Sequence, residues 1–199
     1  MENKDTFVYE LDGNLYINLT NKCSNSCEFC VRNGKDDYFG HRLWLSREPS
    51  AEEVLSLIKE PRKYRQIVFC GFGEPTYRME VLREIGLSLK AVGAYVRLNT
   101  NGQGNLINGR DITPMLKGAV DKVNVSLNEG DAESYQRVCH SEFGENSFGA
   151  LLDFAVKCKN LGIDTVLSVV DCIGESEIDK CRKISEDCGI KLRVRAYIS

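Results

Sequence analysis

The sequence predicts an α/β fold in which about six strand–helix units form a curved, open sheet, preceded by an N-terminal β-hairpin. Two observations support this class. Short β-rich runs alternate with helical stretches along the chain, which is typical of parallel βαβ units. Several of the runs also alternate apolar and polar residues, whereas a doubly wound sheet covered on both faces should be apolar throughout. The pattern therefore favours a barrel-like sheet with one polar face.

The individual elements follow from local signals. Residues 15–19 form the first strand, and residues 6–10 pair with it across the turn Asp12-Gly13-Asn14. Ser50 and Glu53 form a capping box at the start of the first helix. The later strands are predicted at residues 66–70, 95–100, 122–127, 163–170 and 190–198. The helices are predicted at residues 50–60, 77–92, 112–118, 131–138, 147–161 and 176–188.

The polar face of the strands predicts a cavity. Asn124 and Ser126 share one face of the fourth strand, while Val123 and Val125 share the other. Buried polar side chains are costly unless they are paired, so a repeated polar face indicates a shared cavity around a highly functionalised ligand. The alternative is an antiparallel sheet with one solvated face, which the intervening helices disfavour. The other strands contribute to the same face Tyr16, Asn18, Thr20, Arg97, Asn99, Arg193, Arg195 and Tyr197.

Length and composition limit the class of protein. The 199 residues suffice for one domain, 1–199, and 42% hydrophobic with 28% charged residues is ordinary for a globular protein. The net charge of −3 argues against a general nucleic-acid binder, although a local basic patch could still hold a nucleotide or RNA. The first residues contain no apolar signal region, and no later run approaches about 18 apolar residues. We therefore expect a cytoplasmic protein without a membrane partner.

Three of the nine cysteines carry the strongest signal. In a reducing compartment cysteines are metal ligands, catalytic thiols or small buried residues rather than disulfides. Cys23, Cys27 and Cys30 have the spacing C-x3-C-x2-C directly after the first strand, and such thiolates suit an iron–sulfur cluster or zinc. A structural zinc site needs four ligands, which His41 or a distant cysteine could complete. Three ligands to a four-iron cluster leave one iron open for chemistry.

This spacing, with Phe29 before the last cysteine, resembles the signature of the radical S-adenosylmethionine (SAM) superfamily. The resemblance implies a partial, open TIM-type barrel without an auxiliary-cluster extension. It also implies a [4Fe–4S] cluster whose open iron is chelated by SAM. In such enzymes reductive cleavage of SAM gives a 5′-deoxyadenosyl radical, which abstracts hydrogen from a substrate.

A second motif follows the second strand. The run Cys70-Gly71-Phe72-Gly73-Glu74-Pro75 resembles the glycine-glycine-glutamate motif of the same superfamily. The resemblance implies that Gly71, Gly73 and Glu74 hold the amino group of the SAM methionine. The alternative is a Gly-Pro turn with a solvated glutamate, which the position one strand–helix unit after the cysteines disfavours.

Two further strand ends carry polar residues. Asn99 and Asn101 lie in a segment similar to the TNG-type strand end of the superfamily. Ser126 and Asn128 look like the residues that contact the ribose or carboxylate of SAM. For the first pair, a local turn-forming role is an equal alternative.

Arg195, which we include among the cofactor-binding residues, lies two residues after Arg193 on the last strand. The two guanidinium groups could clamp a carboxylate or phosphate. They could equally pair with an acid in the cavity such as Asp171.

The closing residues 192–197 and the size resemble the small TatD family-associated radical SAM proteins. The leading hypothesis is a radical SAM enzyme with an unidentified substrate, such as a peptide, protein or nucleic acid. A flavodoxin- or ferredoxin-type electron donor is implied. The alternatives are a non-enzymatic iron–sulfur or zinc protein and, as an enzyme variant, a glycyl-radical-enzyme activase.

Other conspicuous residues have simpler explanations. Cys181 and Cys188 are seven residues apart on a predicted helix and are expected to be small buried residues. The pair Cys139-His140 could serve a metal or acid–base role, but no nearby companions support it. Tyr38 and Trp44 are predicted to cover the cluster or to anchor the loop after it.

Overall fold

The computed structural model describes residues 5–197. In this range no helix is both long and apolar enough to cross a membrane. The strands are β1 (Val8–Leu11), β2 (Asn14–Ile17), β3 (Asp37–Tyr38), β4 (His41–Arg42), β5 (Ile67–Phe69), β6 (Val96–Thr100), β7 (Lys122–Ser126), β8 (Asp164–Val170) and β9 (Lys191–Arg195). The α-helices are α1 (Ala51–Leu57), α2 (Met79–Ala91), α3 (Gly104–Asn108), α4 (Thr113–Leu116), α5 (Ala132–Cys139), α6 (Asn146–Asn160) and α7 (Glu175–Cys188).

Seven strands form one sheet in the order β1-β2-β5-β6-β7-β8-β9. β1 and β2 form an antiparallel hairpin, and every later pair of neighbours is parallel. Because the parallel strands are adjacent in chain order, right-handed crossovers place their helices on one face. The edge strands β1 and β9 do not pair with each other in the described residues, so the barrel is open. The predicted partial barrel of six parallel strands with an N-terminal hairpin is confirmed.

The two faces of the sheet differ in polarity. The outer face carries Ile17, Phe69, Leu98 and Val125, which are fully buried in one hydrophobic cluster with the helices. The inner face carries the polar residues Arg97, Asn99, Asn124, Ser126, Ser168 and Arg193, which line a cavity. The predicted alternation of the strands therefore separates the core from the cavity.

Three element boundaries differ from prediction. α1 ends at Leu57, because Ile58 leaves the helical region and a proline follows soon after. α2 begins only at Met79, because a 3₁₀ turn, Pro75–Arg78, precedes it. α3 occupies part of the predicted Gly/Asn-rich loop, where Gly104 lets its backbone pack closely against the side chain of Ile112.

The last strand is shorter than predicted. β9 ends at Arg195, and Ile198 of the predicted strand lies outside the described residues. Leu192 packs against the hydrophobic core, as expected for the outer face. Val194 is 42% exposed, because β9 is an edge strand whose outer face the helices cover only in part.

Candidate active site

The concave face of the sheet encloses a cavity of about 440 Å³. This volume is within the usual range of small-molecule pockets. One wall is aromatic, with Tyr9, Tyr16 and Tyr38 from the β1–β2 and β3–β4 hairpins. The opposite wall is polar and is built by β6 to β9.

The cysteine loop, residues 18–36, begins where β2 ends and reaches the last turn of α5. The backbone N–H of Ser26 donates to the carbonyl of Cys139 at 3.0 Å, and that of Glu28 donates to Val138 at 3.0 Å. Carbonyl groups in the last turn of a helix lack intrahelical partners. The loop therefore satisfies these groups and is positioned by them.

The three predicted cluster ligands share this loop but do not converge on one point. Burial, together with the nearby carboxylate of Glu74, raises the pKa of the Cys23 thiol to about 12. A hydrogen bond to the thiol of Cys139, followed by burial, raises the pKa of Cys27. In residues 5–197 no three Cys, His, Asp or Glu side chains are arranged to hold a metal ion. Binding a cluster therefore requires the three thiols to move closer together.

The donor set nevertheless fits an iron–sulfur cluster chemically. All three thiols are only partly exposed, and soft sulfur ligands are those that iron–sulfur clusters use. Arg32 adds positive charge, which opposes the rise in the pKa of Cys23 and of Cys30. Its guanidinium group also donates to the carbonyls of Asn25 and Phe72, at 3.0 and 3.2 Å.

The second motif packs directly on the cysteine loop. The N–H of Glu74 donates to the carbonyl of Lys22 at 2.7 Å. A Cβ atom at Gly73 would lie 2.2 Å from the carbonyl oxygen of Thr20, and one at Gly71 would lie 2.0 Å from Oδ1 of Asn18. Glycine is therefore required at both positions by close contact with the segment that leads from β2 to the cysteines.

The carboxylate of Glu74 is buried, with 3% of the residue exposed, and is held by protein donors. Oε1 accepts hydrogen bonds from the N–H and hydroxyl groups of Thr76 and from the hydroxyl of Thr100. Oε2 accepts one from the N–H of Asn101 at 2.7 Å. Burial raises the pKa of Glu74, and these donors oppose the rise. Because Oε1 already accepts three hydrogen bonds and Oε2 only one, only Oε2 can accept a further strong hydrogen bond.

The other predicted cofactor-binding residues separate into two groups. Gly71, Asn99, Ser126 and Arg195 line the cavity. The remaining four lie outside its lining, and each has another contact.

Among these four, Asn101 donates to the hydroxyl of Ser24 at 2.8 Å, and Gly73 packs on the backbone of the cysteine loop. Asn128 has a positive φ of 63° and donates to the Cys139 sulfur at 3.5 Å. Phe29 packs against the hydrophobic core.

Several polar atoms at the cavity lack protein partners. Asn99 Oδ1, Asn124 Oδ1 and Arg97 Nε are buried without a hydrogen bond. Each such atom costs about 1–3 kcal/mol. A ligand rich in donors and acceptors would satisfy them, so the cavity fits a molecule of the chemical character of SAM.

A buried hydrogen-bond network beneath the cysteine loop was missed by sequence analysis. Asn25 Nδ2 donates to the hydroxyl of Tyr135 at 2.9 Å, and Gln103 Nε2 donates to Asn25 Oδ1 at 2.8 Å. The hydroxyl of Ser141 donates to Gln103 Oε1 at 3.0 Å. The network ties the loop to α5 and to the end of β6. No local pattern reveals partners that are so distant in sequence.

The aromatic and cysteine residues singled out in the sequence are placed as follows. Tyr38 lines the cavity, and Trp44 packs edge-on against Phe72 with ring centroids 5.2 Å apart. Cys181 is fully buried, as predicted, whereas Cys188 is only half-buried against the core.

The chain is similar to curated proteins named probable GTP 3′,8-cyclase. The protein from Thermococcus kodakarensis is 32% identical over 127 residues, which cover 63% of this chain and 38% of the relative. The protein from Methanosarcina acetivorans is 26% identical over 185 residues, covering 89% of this chain and 52% of the relative. This chain therefore spans about two fifths to one half of these relatives.

Solved structures share the fold. SuiB of Streptococcus suis bound to the precursor peptide SuiA has a TM-score of 0.67 and 14% identity, covering 96% of this chain and 40% of SuiB. The protein anSMEcpe with bound AdoMet has a TM-score of 0.65 and 15% identity, covering 92% of this chain and 51% of that protein. The model of the radical SAM superfamily matches residues 17–182, and this chain belongs to that superfamily.

Proposed function

We propose that this chain is a radical SAM enzyme in which Cys23, Cys27 and Cys30 hold a [4Fe–4S] cluster. Members of the superfamily use this cluster and SAM. The observation that carries the proposal is the direct packing of segment 71–75 on the cysteine loop, at the edge of a polar cavity. When bound, the reduced cluster and SAM supply a 5′-deoxyadenosyl radical that abstracts hydrogen from the substrate.

The residues of the chain would bind and orient the cofactor. Gly71, Asn99 and Ser126 line the cavity and offer contacts to the polar groups of SAM, whereas Arg195, on the edge strand β9, is left to the substrate. Glu74 is 3% exposed and does not line the cavity, but its Oε2 has one protein donor and would accept a hydrogen bond from the SAM amino group. In this proposal Gly73, Phe29, Asn101 and Asn128 act mainly by positioning the cysteine loop and the end of β7.

The hairpin β3–β4 would limit access of water. Tyr38 and Phe39 of this hairpin line the cavity mouth, and their rings contact each other edge-on. A radical intermediate needs a site from which water and other hydrogen donors are excluded. The electron that starts the reaction would come from a flavodoxin- or ferredoxin-type donor.

Anaerobic reconstitution tests the proposal. We expect the protein, treated with iron and sulfide, to give the spectrum of a four-iron cluster and to form 5′-deoxyadenosine from SAM with a strong reductant. Cys27→Ala should lose the cluster, whereas the matched control Cys172→Ala, at an exposed cysteine, should keep it. Glu74→Ala should keep the cluster and bind SAM more weakly. If the four-iron cluster forms but no 5′-deoxyadenosine is ever produced, the result would favour a non-enzymatic iron–sulfur protein instead.

For the substrate we propose a small molecule, because the polar cavity that would hold SAM has few residues to spare for a larger partner and the similar curated proteins are named after the small molecule GTP. The curated relatives named probable GTP 3′,8-cyclase make GTP the first candidate. Added GTP should accelerate 5′-deoxyadenosine formation and be consumed in step with it. If GTP remains unchanged, this substrate is wrong while the proposed radical chemistry stands.

Other substrate classes rest on weaker support. SuiB is bound to a precursor peptide, but at 14% identity this neighbour indicates only the fold. A protein or nucleic-acid substrate and a glycyl-radical-enzyme activase role remain predictions of the sequence. The likeness to TatD family-associated proteins likewise remains a prediction, since it rests on the closing residues 192–197.

A further inference from the structure

Three arginine side chains line the same cavity. Arg97 comes from β6, and Arg193 and Arg195 come from β9 at the far edge of the sheet. The curvature of the open barrel brings the two strands to a common space. Arg195 is close enough to Cys70 and Tyr38, on the opposite wall, to influence the pKa of both groups.

None of the three arginines has an acidic partner in residues 5–197. By contrast, Lys122 of β7 lies 2.9 Å from Asp164 of β8. Arg97 Nε is buried without a hydrogen-bond partner. The predicted alternative, in which Asp171 pairs with the arginines of β9, is not found in the described residues, where Asp171 accepts from the N–H of Tyr197 at 2.9 Å.

The lining of the cavity is therefore strongly cationic. In the described residues Asp12 provides its one carboxylate, against three guanidinium groups. Arg193 and Arg195 lie on the exposed edge strand, whereas Arg97 is half-buried. Three guanidinium groups around one cavity create a positive potential that attracts an anionic ligand.

We propose that Arg97, Arg193 and Arg195 bind an oxyanion, a phosphate or carboxylate, carried by the small-molecule substrate. The proposal rests on the proposed radical SAM function. Guanidinium groups bind such anions bidentately through charge-assisted hydrogen bonds. The tyrosine wall opposite them would contact the uncharged part of the substrate.

Arg97 lies deeper in the cavity than the carboxyl ends of the strands. Arg97 precedes Thr100, the end of β6, by three residues, which places it roughly 10 Å below the strand end. The cysteine loop and segment 71–75 lie at the carboxyl ends of the strands. Arg193 and Arg195 pair in register with Ser168 and Val170 of β8 and lie near the strand ends. The three arginines therefore line the cavity from its lower part up to the level of a SAM molecule held there.

Calorimetric titration of the reconstituted protein, with saturating SAM, tests the proposal without turnover. The probes are pyrophosphate and malonate, a phosphate and a carboxylate anion. We expect at least one probe to bind, and its identity indicates which oxyanion the substrate carries. Arg97→Gln and Arg193→Gln should each weaken binding by about tenfold or more. The control Arg83→Gln makes the same change of charge on the exposed face of α2 and should bind like wild type.

Several outcomes would overturn the proposal: neither probe binds, or both cavity variants bind like Arg83→Gln. Binding that is lost when SAM saturates the protein would assign the arginines to the SAM carboxylate instead. If Arg97→Gln unfolds, Arg97→Lys keeps the charge and should retain part of the affinity. SAM cleavage is measured on the same samples, so anion binding without cleavage would refute the proposed function alone.

Discussion

Replacing Gly73 by alanine should displace the cysteine loop. The added Cβ would lie 2.2 Å from the carbonyl oxygen of Thr20 and 2.6 Å from that of Lys22. Ordinary contacts between carbon and oxygen are at least about 3.3 Å, so the backbone has to move by about 1 Å. The nearest atoms belong to the main chain and cannot rotate away.

The cost follows from these contacts. Overpacking of this kind costs about 1–3 kcal/mol, and loss of the hydrogen bond from Glu74 to Lys22 adds about 1 kcal/mol. Alanine also reduces the conformational entropy of the unfolded chain, which stabilises the folded state by about 0.4–1 kcal/mol and offsets part of this loss. We expect Gly73→Ala to lower the free energy of unfolding by about 1–3.5 kcal/mol and to reduce the iron content after reconstitution.

Gly149 provides the matched control. It lies on the exposed side of α6, where a Cβ would meet nothing within 4 Å, so Gly149→Ala should stabilise the helix by up to about 1 kcal/mol. Equilibrium urea unfolding measures both variants. If the two unfold within about 1 kcal/mol of each other and bind equal iron, close packing does not position the loop, and the reasoning fails.

Three further predictions concern the surroundings of the site. Tyr135→Phe removes an acceptor shared by Asn25 and Gln103, so it should cost about 2 kcal/mol in urea unfolding and lower cluster retention. Cys139→Ala should retain the four-iron absorption that Cys27→Ala loses; loss in both variants would make Cys139 a ligand. Burial and, secondly, the charge of Glu177 raise the pKa of Glu129 from 4.5 to about 7. Between pH 4.5 and pH 7 the native state therefore binds more protons than the unfolded state. Stability should therefore fall as the pH rises from 4.5 to 7, by roughly 1–2 kcal/mol after allowance for solvent screening. Urea unfolding of Glu129→Gln should lack this decrease, and a slope equal to that of wild type would contradict the assignment.

The strands and their faces were predictable because both are local properties. The period of two that separates Asn124 and Ser126 from Val123 and Val125 is visible in the sequence, and it fixes which side chains enter the cavity. The order of the strands followed from the regular alternation with helices. The architecture could therefore be predicted without knowing any contact between residues distant in sequence.

The contacts of Glu74 were not predictable. The motif around Glu74 indicated a ligand of SAM, whereas the carboxylate also accepts hydrogen bonds from Thr100 and Asn101, at the end of the next strand. These donors are 26 and 27 residues away in sequence, and their position next to Glu74 depends on the register of β5 and β6. α3 was missed for a related reason, since Gly104 has low helix propensity and tertiary packing outweighs it.

The attachment of the cysteine loop to α5 has a consequence for local opening of the protein. The amide protons of Ser26 and Glu28 are bound to carbonyls in the last turn of the helix, so they exchange with solvent only when that contact opens. Fraying of the helix end and release of the loop are then one event with one free energy. Hydrogen exchange at these two amides should therefore slow together when the loop is held in place.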